Sequence, residues 1–164
     1  MLMGFSSMQR KGYNIKELIG AIGNLIDTTN GLNVGVIGVG NFGKAVTGYF
    51  RGKRSKLNIV ATFDVNEDKV GKVVSGVKCY HIDDLVSIIK KLKISIGILT
   101  VPPEHAKSIA ELLAANGIQG ILNFTTVPLN MPPPVYLEEY DMITSIEKVA
   151  YFVKKYDEEK RSFS

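Results

Sequence analysis

The chain has 164 residues, 45% hydrophobic and 22% charged, enough apolar material for one globular domain with attached segments. Its formal net charge of +4 permits contact with phosphates but does not mark a nucleic-acid binder. No apolar run approaches the roughly 20 residues that span a bilayer, and the single cysteine, Cys79, excludes an internal disulfide and fits a reducing cytoplasm.

Residues 1–13 have no periodicity and read as a loose segment, too short in its apolar part for a signal peptide. From Asn14 the pattern turns helical. Ile15, Leu18, Ile19, Ile22, Leu25 and Ile26 share the i, i+3, i+4, i+7 spacing of one buried face, and Asn14 with Glu17 makes a capping box in which Asn replaces Ser or Thr. This linker helix, within 14–30, ends at Asn30-Gly31.

Residues 31–143 then alternate. "NVGVIGV" reads as a buried strand and 41–52 as a helix; "LNIVATFD" is a second strand, "VKCYH" a third and "DDLVSIIKKL" a helix. "ISIGILTVP" is a strand, "PEHAKSIAELLAANG" a helix ending at Gly117, and "GILNF" one more strand. Val- and Ile-rich strands separated by helices of about a dozen residues predict a Rossmann-type, doubly wound parallel sheet of the α/β class with right-handed crossovers. Arg51, Lys53, Arg54 and Lys56 in "RGKRSK" read as cations gathered at a helix C-terminus. Cys79 reads as a half-buried structural thiol. "TTVPLNMPPPVYLEEYDMI", with four prolines, predicts a loop and an edge strand. A final helix over 144–161, within a closing segment 144–164, carries Ile146, Val149, Ala150, Phe152 and Val153 on one side. It lies beyond the sheet's natural end and is expected to pack on something else.

A strand, then Gly38-x-Gly40-x-x-Gly43, then a helix is the context of a dinucleotide site. Gly38 permits the tight turn, Gly40 leaves room for a pyrophosphate at the backbone, and Gly43 lets helix and strand approach. The free N–H groups of the helix start would hold the phosphates. Asp64 ends the second strand 21 residues past Gly43, where a carboxylate accepts both ribose hydroxyls. It argues for NAD(H) over NADP(H): a 2′-phosphate about 4 Å from a carboxylate costs roughly 1 kcal/mol in water and nearer 4 at an effective dielectric of about 20. Thr100, Val101 and Asn123, at other strand ends, should line the groove, with Pro102 capping its strand.

The same reading does not make the chain an enzyme. About 40 residues follow the sheet, too few for a catalytic domain. His81 reads as a turn or helix-start residue, His105 as a solvated residue in a first helical turn, and the pairs Tyr49/Lys53 and Tyr151/Lys155 as coincidences of spacing. No Cys, His, Asp and Glu cluster has metal-ligand spacing, so no metal is expected. A CoA-binding Rossmann module and a small NAD-dependent oxidoreductase are the rival functions.

"KGYNIKELI", "GVGNFGKAV", "FDVNEDKVGK", "IGILTVPPEHA", "GIQGILNFTTVPLNMP" and "VAYF" occur in order, and together they resemble the Rex family of redox-sensing transcriptional repressors from about Arg10 onward. The resemblance implies a cytoplasmic homodimer whose Rossmann domain reads the NADH/NAD⁺ balance and leaves DNA when NADH binds. It implies that Gly38, Gly40, Gly43 and Asp64 hold the adenosine half, with Val39, Asn41, Phe42 and Val65 beside them, and that Thr100, Val101, Pro102, Asn123 and Phe124 lie near the cofactor. Tyr49 matches a tyrosine at the nicotinamide site, and Asp141 an aspartate that reaches it from the partner subunit. The last helix matches one that swaps across the dimer, and Met142 stands where an aromatic often separates the two nicotinamides. The family's winged-helix domain has only a scrap before Asn14, so this chain alone is not expected to read DNA bases.

Overall fold

β1 (Leu32–Ile37) forms the centre of the sheet, and its last four residues are all buried. An unbroken buried run rather than alternation is what a strand shows when helices cover both faces. The computed structural model describes residues 15–28, 31–51, 53 and 56–163. The expected loose segment 1–13, the Asn14 cap, Asn30 and Arg54 lie outside the described residues.

Seven strands form one sheet in the order β3-β4-β2-β1-β5-β6-β7. These are β2 (Leu57–Asp64), β3 (Val73–Val74), β4 (Val77–His81), β5 (Ile94–Leu99), β6 (Gly120–Asn123) and β7 (Tyr136–Glu139) around β1. All pairings are parallel except β3 with β4. The crossover helices are α2 (Asn41–Phe50), α3 (Leu85–Leu92) and α4 (Pro103–Ala115), with α1 (Ile15–Thr28) before the sheet and α5 (Met142–Ser162) after it. The core divides accordingly. Phe63, Ile37 and Leu99 pack with Leu85, Ile88 and Ile89 of α3 and with Ala110 and Leu113 of α4. Val34, Val36 and Ile98 pack with Val46 of α2.

The doubly wound parallel sheet is the expected one, and β7 is the edge strand expected in the proline-rich stretch. β3 was not anticipated, being two residues that pair through a tight turn with β4. Two burial expectations are corrected. Cys79 is fully buried rather than half-buried, and burial pushes its thiol pKa up despite a hydrogen bond with Thr62. The apolar face expected to be buried on α1 is open at Ile19 (57% exposed) and Ile22 (43%) among the described residues. On α5 no residue is buried.

Candidate functional site

Register brings the site together. Ile37 pairs with Phe63 on one side and Leu99 on the other, so Gly38, Asp64 and Thr100 emerge side by side at the C-terminal edge. The chain leaves β1 toward β2 and later returns to add β5 on β1's other side. This is the switch point where open α/β sheets bind ligands.

The three glycines have different reasons to be glycine. Gly38 has φ +94°, and a side chain there would meet the Thr100 carbonyl oxygen at 2.7 Å. Its N–H donates to the Phe63 carbonyl (2.8 Å) and its carbonyl accepts from the Thr100 hydroxyl (2.6 Å), which ties the turn to both neighbouring strands. At Gly43 a Cβ would fall on the Gly38 carbonyl oxygen and lie 2.8 Å from Thr100 Oγ1, so packing demands the glycine. Gly40 is different. Its backbone is extended (φ −68°, ψ −167°), and a Cβ there would meet nothing within 4 Å. It is also the N-cap of α2 and gives that helix no side-chain cap. The N–H groups of the first helical turn lack intrahelical acceptors, and its first two residues, Asn41 and Phe42, are exposed.

Asp64 closes the other wall. Oδ2 accepts from the Val39 N–H (2.8 Å) and Oδ1 from the Asn66 N–H (2.9 Å). Lys69 reaches back across the cleft, its Nζ 3.4 Å from Asp64 Oδ2 and donating to the Val39 carbonyl at 2.8 Å. Burial raises the Asp64 pKa, but the two backbone N–H groups and the Lys69 ammonium outweigh it and hold the carboxyl below its ordinary value. The carboxylate's acceptor sites are thus partly engaged within the protein already.

Between these walls lies a cleft of about 630 Å³. Gly38, Gly40, Asp64, Val65, Thr100, Val101 and Pro102, all sequence candidates, line it together with Lys69, Ile82, His105, Ser108 and Ile109. Val39 is buried beneath it and acts through its peptide groups; Asn41 and Phe42 form the first turn of α2.

Four candidates sit elsewhere. Asn123, expected in the groove, is fully buried: its amide donates to the Val127 carbonyl (2.8 Å), and its carbonyl accepts from the Thr125 N–H (2.9 Å) and hydroxyl (2.7 Å). It builds the loop after β6 instead of lining the groove. Phe124 makes edge contacts with Phe42 (5.1 Å between centroids) and Tyr140 (5.5 Å). Tyr49 lies near the far end of α2, about 12 Å along the helix axis from Asn41, exposed and under the Lys53 ammonium. Asp141 is the N-cap of α5 and accepts from the Ile143 N–H (2.9 Å) and the Thr144 N–H (3.3 Å) and hydroxyl (2.7 Å).

His105 is exposed in the first turn of α4, as expected, and it also borders the cleft. Lys69 was missed. The usable signal was the "NED" that precedes it, which folds into a turn with the Lys69 N–H on the Asn66 carbonyl (2.9 Å) and sends the lysine back to the strand end. His81 does cap a turn, its Nδ1 accepting from the Asp83 N–H at 3.2 Å. Among the described residues no group of His, Cys, Asp and Glu is arranged to hold a metal, and no helix is long and apolar enough to cross a membrane.

A glycine turn leading into an uncapped helix, at the switch point of a doubly wound sheet and beside a strand-end carboxylate, defines a Rossmann-type domain of the dinucleotide-binding architecture. The family model described as "CoA binding domain" matches residues 29–127. A redox-sensing transcriptional repressor Rex from Exiguobacterium sp. is 36% identical over 154 residues, covering 93% of this chain and 71% of the relative. The crystal structure of RSP, a protein of the same family, in complex with β-NADH superposes with TM-score 0.77 at 28% identity, over 95% of this chain and 76% of that one. RSP with β-NAD⁺ and operator DNA gives TM-score 0.78 at 30% identity, over 92% and 69%. The chain belongs to the Rex family of redox-sensing transcriptional repressors.

Proposed function

We propose that this chain binds NAD(H) in the cleft at the edge of β1, β2 and β5 and acts as the redox-sensing part of a repressor whose hold on DNA follows the NADH/NAD⁺ ratio. Gly40 carries the reading. Neither its backbone angles nor any neighbour requires a glycine, yet it stands at an uncapped helix start, where a side chain would obstruct a diphosphate approaching the N–H groups. Asp64 would accept the adenosine ribose hydroxyls through the lone pairs that Val39 and Asn66 leave open, and Thr100, Val101 and Pro102 would form the floor.

NAD⁺ has a cationic nicotinamide and NADH a neutral one, so a carboxylate near that ring distinguishes them by charge. Asp141 is our candidate, delivered from the partner subunit of a homodimer. A ligand shifts an equilibrium only by its differential affinity for the two states. The exposed apolar side of α5, with Ile146 67% and Val149 60% accessible, would supply the dimer contact. The reading is of a sensor rather than an oxidoreductase. His105 is the cleft residue an oxidoreductase would use as proton donor, and turnover of NADH with carbonyl acceptors would revive that rival. CoA, which carries a 3′-phosphate on its ribose, would set that phosphate against Asp64.

Thermal denaturation with NADH, NAD⁺ and CoA tests the assignment. At about 100 times its Kd, a ligand adds roughly 2.7 kcal/mol, or about 5–11 °C for a chain of this length. NADH should give that shift and CoA should not; a shift with CoA alone would overturn the reading.

A further inference from the structure

Lys69 is absent from every function assigned so far, yet it makes two contacts that matter to a nucleotide. Its Nζ donates to the Val39 carbonyl at 2.8 Å and lies 3.4 Å from Asp64 Oδ2. The first contact fixes the Val39–Gly40 peptide plane in the glycine loop. The second ties the strand-end carboxylate to that same loop. Both side chains are largely shielded, Lys69 23% and Asp64 12% exposed, so their charges are screened less than those of a surface pair. Asp64 is the acidic residue of the cleft lining, and Lys69 is the cation beside it; the lining's other basic side chain, His105, stands on α4. Glu67, in the same turn, faces His81 at 3.9 Å and does not compete for the lysine.

From this arrangement we infer that Lys69 sets how strongly the site rejects an adenine nucleotide phosphorylated on its ribose. The inference rests on the nucleotide reading above. Asp64 alone would repel such a phosphate. With Lys69 beside it, the phosphate meets a carboxylate and an ammonium together, and the repulsion is partly cancelled. The two partners of one ion pair therefore act on selectivity with opposite signs. Removing the lysine charge exposes the carboxylate and increases rejection. Removing the carboxylate charge leaves the ammonium with only a neutral carbonyl partner and makes it a phosphate receptor. Lys69 is also a positioning residue for Asp64, but a displaced carboxylate would lose its bonds to the NADH ribose and repel the phosphate less, which lowers the ratio instead of raising it.

The test is the ratio Kd(NADPH)/Kd(NADH), measured by titration calorimetry on the whole chain. Lys69→Met, which keeps the apolar stem, should raise the ratio about tenfold, the scale of one shielded unit-charge interaction. Lys69→Arg should hold it within about threefold of the starting chain, and Asp64→Asn should lower it. Thermal midpoints of the same variants show whether each still folds; should Lys69→Met unfold, Lys69→Gln, which removes the charge but keeps a donor for the Val39 carbonyl, carries the test with the same expected rise. Equal weakening of both nucleotides by Lys69→Met, or no fall in the ratio for Asp64→Asn, overturns this inference and leaves the NAD(H) assignment standing. Failure of the unsubstituted chain to bind NADH overturns both.

Discussion

Gly40→Ser separates ligand binding from folding. The backbone at Gly40 is extended and a Cβ meets nothing within 4 Å, so the folded chain accepts serine without strain. Serine caps a helix at least as well as glycine, by a few tenths of a kcal/mol at roughly this position. It also removes about 0.4–1 kcal/mol of unfolded-state freedom. The midpoint of thermal unfolding should therefore rise by about 1–5 °C. Binding should move the other way. The new hydroxyl occupies the uncapped N–H groups and its Cβ stands in the diphosphate's path. Losing a charge-assisted hydrogen bond costs roughly 1.5–3 kcal/mol, which is about 10- to 150-fold in Kd for NADH. Gly43→Ser is the control. Its Cβ falls on the Gly38 carbonyl oxygen, and overpacking of about 1–3 kcal/mol should lower the midpoint. The assay is calorimetric titration with NADH beside apo-protein melting. The reasoning is refuted if Gly40→Ser binds NADH within twofold of the parent, or if it melts lower like Gly43→Ser.

Other consequences can be checked in the same protein. Asp64 has its folded pKa held below the ordinary 3.8, so its contribution to stability is complete above that value and disappears as pH falls through the folded pKa. The melting-point gap between the parent and Asp64→Asn should be present at neutral pH and close in acid; a gap independent of pH contradicts the assignment. Asp141→Ser keeps an N-cap on α5 but removes the carboxylate, so the fold should hold while the affinity ratio moves toward NADH; an unchanged ratio removes Asp141 from charge discrimination. Ile146→Asp with Val149→Asp places charges on the exposed side of α5 and should give a monomer by sedimentation, whereas an unchanged dimer would place the interface elsewhere.

What the sequence made legible was what short-range rules decide. Val34, Val36 and Ile37 announce a central strand by being apolar without alternation; Gly38 and Gly43 announce the turn because each answers a local demand of backbone or space, and Gly40 completes the spacing although nothing in the fold requires it. Asp64 was legible for the same reason, as a strand end at a set distance. Lys69 was not, because its role depends on how the turn at Asn66 folds it back onto a carbonyl 30 residues earlier. Asn123 and Thr100 look alike as polar residues at strand ends. Only the loop after β6 decides that one is a buried hydrogen-bonding hub while the other borders the cleft. The side of α4 that carries His105 is likewise set by how the helix packs on the sheet. On α1 and α5 the helical spacing was legible, but among the described residues Ile19, Ile146 and Val149 stay exposed.

The central claim is that the cleft distinguishes the two redox states of one nucleotide. Parallel titration of NADH and NAD⁺ into the same preparation, with dimer mass recorded, tests it most directly. The account predicts Kd values for the two forms that differ by at least about tenfold, equivalent to roughly 1.4 kcal/mol of differential affinity. Equal affinities would leave nothing to shift an equilibrium and would contradict it.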